Sequence, residues 1–110
     1  MNRKRETVHR KLVRDKIPEI IENSGKSCET RILDESEYLD MLDVKLSEEL
    51  NEYLEAHSLE ELCDLTEVIL ASAKARGYSL DDLLKGCEQK RNARGGFDKR
   101  IFLEKVCESL

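Results

Sequence analysis

The stretch Lys45-Leu46-Ser47-Glu48-Glu49-Leu50-Asn51-Glu52-Tyr53-Leu54-Glu55-Ala56-His57-Ser58-Leu59-Glu60-Glu61-Leu62-Cys63-Asp64 decides how the chain folds. Leu39 and Leu42 lead into Leu46, Leu50 and Tyr53 at spacings of three or four, the stripe of an amphipathic helix. Asp34 and Glu37 have the capping-box spacing that opens this helix, which is expected to run to about Glu55. Ser58 and Glu61 repeat the spacing and open the next helix, ending near Gly77. Only Ala56-His57-Ser58 joins the two, so they are expected to lie antiparallel as a hairpin.

Downstream of the hairpin, Ser79 and Asp82 open a fourth helix expected to reach Arg94, where Gly95-Gly96 stops it. Upstream, Asp15 reads as the cap of a short helix through Ile17, Ile20 and Ile21, with Pro18 in its first turn and Gly25 as its stop. Residues 29–33 carry no helical stripe and residues 97–106 alternate weakly, so the two are able to pair as extended segments. The expected fold is mainly α, a helical-hairpin bundle of about four helices with room for that small extended pair. Residues 1–10 read as a flexible basic N-terminus and 11–110 as a single all-α domain.

A chain of 110 residues holds one core, and 39% charged against 5% aromatic residues, with one Pro and no Trp, favours helices over a sandwich or barrel. No apolar run approaches the roughly 18 residues of a membrane span, and no apolar region follows the basic start, so neither membrane insertion nor secretion is expected. Cys28, Cys63, Cys87 and Cys107 form no C-x-x-C pair, and His9 and His57 stand at no zinc-ligand spacing. They read as reduced packing thiols of a cytoplasmic protein. A glycine-rich phosphate loop and a nucleophile elbow are missing, which disfavours a P-loop kinase or a serine hydrolase. Overall acidity without interleaved aromatics disfavours a nucleic-acid binder.

The net charge of −5 is unevenly spread. Between Lys45 and Lys74 lie eight acids and no Lys or Arg, so this interval carries −8 and the rest of the chain +3. A solvated helix face is the ordinary explanation of such a run, and helical phase decides. With Leu46 at the centre of the stripe, Glu49 falls about 60° and Glu52 about 120° to one side, while Glu48 and Glu55 point nearly opposite. On the next helix Glu60, Glu67 and Lys74 share the exposed face, whereas Glu61 and Asp64 run in line with Val68, Ala71 and Ala75. Carboxylates at the head of an apolar stripe are unfavourable by several kcal/mol unless paired, protonated or bound to a cation, and the interval itself contains no basic partner.

The hairpin supplies a second test. Glu52 and Glu61 are equidistant from the turn, and so are Glu49 and Asp64, one helical turn further out. An antiparallel pair therefore brings all four carboxylates into one cluster. Oxygen donors without thiolate or imidazole suit Mg²⁺ or Mn²⁺, cations that commonly share their shell with substrate phosphates. Lys45, on the same side as Glu49 and Glu52, is placed to meet a phosphate, and Lys90, Arg91 and Arg94 are further candidates to bind phosphate oxygens of a substrate. Apolar residues cover two sides of the third helix, Leu62, Leu65, Ile69 and Ala73 on one and Val68, Ala71 and Ala75 on another. That is more than one partner helix covers, and it points to a homodimer in which the two hairpins pack as a four-helix bundle, with a compact monomer as the alternative.

The E-x-x-E of Glu49 and Glu52 followed by the E-x-x-D of Glu61 and Asp64 resembles the signature of the all-α, MazG-type nucleoside triphosphate pyrophosphohydrolases. Lys11-Leu12-Val13-Arg14-Asp15-Lys16-Ile17-Pro18 and Lys90-Arg91-Asn92-Ala93-Arg94-Gly95-Gly96-Phe97 are similar to the phosphoribosyl-ATP pyrophosphohydrolase-like branch, whose members are often considered house-cleaning enzymes. Eight residues separate Glu52 from Glu61, fewer than is usual in that family. The resemblance implies that Glu49, Glu52, Glu61 and Asp64 hold one or more Mg²⁺ ions. It further implies that water attacks a nucleotide substrate between its α and β phosphates, giving a monophosphate and pyrophosphate. Glu48 is then a candidate for orienting the water, and Arg14 and Lys16 join the candidate substrate-binding residues. The alternative is a non-catalytic helical module that keeps the acids as a metal- or nucleotide-binding site.

Overall fold

A computed structural model describes residues 5–110, and among them the secondary structure is entirely helical: α1 (Ile17–Asn23), α2 (Glu35–Ala56), α3 (Leu59–Ala75) and α4 (Leu80–Arg94). The expected mainly α fold is therefore what the chain adopts. The optional extended pair does not form, since neither residues 29–33 nor residues 97–106 belong to a strand. Part of the basic N-terminal segment, residues 1–4, lies outside the described residues; residues 5–10 are exposed and without regular structure. No described helix is long and apolar enough to cross a membrane.

Local chemistry explains the boundaries. The Asp34 carboxylate accepts from the Glu37 backbone N–H at 2.8 Å and starts α2. The Ser58 hydroxyl accepts from the Glu61 N–H at 3.2 Å and starts α3. At α4 the box is complete: Ser79 Oγ accepts from Asp82 N–H, and the Asp82 carboxylate accepts from Ser79 N–H. The start of α1 departs from expectation. Lys16 rather than Asp15 holds the cap position, without a side-chain hydrogen bond, because a backbone turn from Ile17 N–H to the Arg14 carbonyl leads into the helix instead.

Between α2 and α3 the chain reverses at His57, whose φ of 52° lies in the left-handed region while its N–H donates to the Tyr53 carbonyl at 2.7 Å. The Tyr53 and His57 rings stack edge to face at 5.2 Å. At the opposite end of the hairpin Arg76 Nη2 stands 3.8 Å from Asp43 Oδ1. The antiparallel hairpin is thus closed at both ends, with Leu42 (2% exposed) and Val68 as its buried hydrophobic residues.

The rest of the chain does not close over this hairpin. Helix α4 touches α3 alone, and α1 packs on no other helix. The Cα radius of gyration is 20.1 Å and the longest dimension 81 Å, against a radius of about 13 Å for a packed chain of this length. In the compact monomer weighed above, α1, α4 and the tail would cover the hairpin; the structure has no such arrangement.

Candidate metal centre

The head of the hairpin, next to the His57 turn, is where two helices each present carboxylates to the other. Glu49 is 7% exposed, Glu61 and Asp64 are half-buried, and one oxygen of each lies within 4.8 Å of the others. Glu60 and Glu67, one face away on α3, are exposed. Glu52 is exposed at the margin of this trio. The charge of Glu49 pushes the Glu52 carboxyl above the usual range, assisted by lost hydration and by the charge of Glu61 and opposed by Lys45. Glu48 is half-buried and shares the Lys45 ammonium with Glu49.

Two oxygens carry the chemical meaning of the cluster. Glu49 Oε2 and Glu61 Oε2 are both buried and neither has a hydrogen-bond partner. Glu61 might have spent its carboxylate on the Ser58 N–H, as the capping-box pattern allows, but only the Ser58 half of that box forms. Its carboxylate turns to the neighbouring acids instead. Buried acceptors of like charge without donors are unfavourable for a lone chain and are the donor set a hard divalent cation takes. The residues present therefore fit Mg²⁺ or Mn²⁺.

Two cations from outside the acidic interval border the cluster. Lys45 Nζ lies 3.2 Å from Glu49 Oε1 and 3.5 Å from Glu48 Oε2. Arg14 Nη2 lies 2.7 Å from Asp64 Oδ1 and bridges the N-terminal segment to α3 across 50 positions of sequence. The first contact follows from i,i+4 spacing, and could have been found that way. The second has no local signal: only the folded path of residues 11–16 brings Arg14 to α3.

The remaining basic candidates stand elsewhere. Lys16 is exposed at the start of α1. Lys90, Arg91 and Arg94 are exposed on α4, which has no contact with α2, and among the described residues none of them forms an ion pair. The structure thus brings together Glu49, Glu61 and Asp64, sets Glu52, Glu48, Lys45 and Arg14 around them, and leaves Lys16 and the α4 cations apart from the cluster in the same chain. No known family model, curated protein or solved structure matches the chain.

Proposed function

We propose that the protein is a Mg²⁺- or Mn²⁺-dependent nucleotide pyrophosphohydrolase of the MazG type, cleaving a nucleoside triphosphate between its α and β phosphates to a monophosphate and pyrophosphate. The observation that carries this reading is the pair of buried, unpartnered oxygens of Glu49 and Glu61 beside Asp64. Glu49, Glu61 and Asp64, with Glu52 at their margin, hold the cation. When bound, it supplies Lewis acidity towards water and charge neutralisation of the phosphates.

The chain's own residues do the rest. Lys45 and Arg14 keep positive charge at the rim and turn from carboxylate to phosphate oxygens as the substrate enters, Arg14 through its planar fork. Glu48, steadied by Lys45, orients the attacking water. Lys16 adds charge along the entry side. The protein acts as a homodimer whose hairpins pair as a four-helix bundle, and Lys90, Arg91 and Arg94 serve the site from the second copy, because α4 does not reach the acids of its own chain.

The alternative of a non-catalytic metal- or nucleotide-binding module is favoured by one observation: Lys45 and Arg14 already offset part of the cluster's charge. A screen for pyrophosphate release over a nucleotide panel, with Mg²⁺ and with chelator, separates the two. Release that chelator abolishes supports the enzyme. Titration calorimetry and melting with Mn²⁺ test the site itself: a cation bound by the folded state alone stabilises it by about 2.7 kcal/mol at a hundred times its Kd. Absence of binding at millimolar Mn²⁺, with or without nucleotide, overturns both readings.

A further inference from the structure

We propose that α4 and the tail that follows it, residues 79–110, form an arm exchanged between two copies of this chain, each arm lying on the other copy's α2–α3 hairpin. The inference deepens the homodimer reading and rests on it. Surface area is the first argument. The chain exposes 10799 Å², whereas a packed protein of its mass exposes about 6,200 Å². The excess, about 4,500 Å², is several times the roughly 800 Å² that a standard interface takes from each partner. A flat patch does not remove it; an intertwined pair does.

The densest run of exposed apolar side chains lies in the tail. Phe97 is 97% exposed, Ile101 and Phe102 are 82% exposed each, and Leu103 and Val106 are open as well. These are core-type residues with nothing over them in their own chain. The tail is nevertheless shaped: Gly95, at φ 83°, redirects the chain at the end of α4, and Arg100 N–H donates to the Phe97 carbonyl at 3.0 Å. On the hairpin, Leu50, Leu54, Leu62 and Ile69 are each more than two-fifths exposed and offer the matching apolar surface.

Charge complementarity is the second argument and is independent of area. Residues 35–75 carry twelve acids against two basic residues. Residues 89–105 carry six basic residues against two acids. Over residues 79–110 as a whole the arm is nearly neutral, with seven basic residues against six acids, so the attraction to the acidic hairpin comes from this basic, apolar stretch, while α4 touches its own hairpin only through α3. A second copy supplies the surface both lack.

Light scattering on the full chain at micromolar concentration is expected to give twice 12.7 kDa. Ile101→Asp together with Phe102→Asp, harmless to a lone protomer in which both side chains are in water, is expected to raise the dimer dissociation constant at least about thirtyfold. A second measurement holds if that variant fails to fold: one copy keeps only Cys107 and the other only Cys63, each bearing a spin label. Distances in the mixed dimer are expected to cluster at short values between the copies. A mass of 12.7 kDa overturns dimer and arm together. A dimer indifferent to the double substitution, or a short Cys63–Cys107 distance within one copy diluted in unlabelled chain, overturns the exchange and leaves the hairpin dimer standing.

Discussion

The hairpin and the arm are built from similar material and finish differently. Helix α3 of the hairpin and α4 of the arm each begin at a serine cap, and α4 has the fuller one: its capping box is complete, whereas only half of the box at α3 forms. Yet α2 and α3 bury Leu42 and Val68 against one another, while α4 contributes no buried residue. Local hydrogen bonding therefore starts a helix but does not place it. Placement comes from an apolar face with something to meet, and α4 and the tail meet little within this chain, which is what the proposed exchange would supply.

The sharpest way to break the comparison is at the head of the hairpin. Glu61→Gln and Asp64→Asn are expected to reduce pyrophosphate release to below about a hundredth, since loss of a ligand exceeds the 10–100-fold effects of groups that merely orient ligands. Glu60→Gln and Glu67→Gln on the exposed face leave it within about twofold of the parent, as surface changes usually do. Equal loss from Glu60→Gln would show that the phase of α3 is misassigned.

Next in size is the core. Leu42→Ala is expected to destabilise by about 2–5 kcal/mol in denaturant melts, independent of protein concentration. Phe102→Ala, in the arm, changes only the concentration-dependent part of the transition. A concentration-independent loss of similar size from Phe102→Ala would place the tail inside the core of its own chain.

Caps follow. Ser79→Ala removes the side-chain acceptor for Asp82 N–H and is expected to reduce stability by about 1 kcal/mol, read as a lower melting temperature. The smallest effect concerns acid. The Ser79 N–H holds the Asp82 carboxyl below its ordinary range, so the folded state binds this proton less tightly than the unfolded one. Its contribution is present above the ordinary aspartate range and fades as pH falls through the lowered value. Melts of Asp82→Asn and the parent should therefore differ at neutral pH and converge as pH falls below the ordinary aspartate range.

Much of this architecture is legible in the sequence, for identifiable reasons. Asp34, Ser58 and Ser79 mark helix starts because their side chains accept backbone N–H groups two or three residues on, a signal local enough to read from spacing. Asp15 misleads because a backbone turn, not its side chain, opens α1. Glu49, Glu61 and Asp64 can be placed together because two periodic helices joined by a tight turn leave one antiparallel register. Arg14 cannot be placed on Asp64 that way, since nothing periodic spans the distance between them. The alternation of residues 97–106 signals surface to be covered without saying by what. The pattern allows an intrachain pair with residues 29–33, and no such ladder forms among the described residues.

The reversal at His57 has a consequence for how such a protein can vary. Surface loops ordinarily absorb insertions with little harm. Here one added residue between Ala56 and Ser58 would leave both helices able to form. If α3 wound in by one residue to compensate, its face would turn by about 100° and its axial position shift by about 1.5 Å relative to α2. Glu61 and Asp64 would then rotate away from Glu49. The joint acts as a ruler: chain length at a solvent-facing bend, where drift is normally tolerated, sets the spacing of the chemistry, so this bend should accept changes of residue type far more readily than changes of length.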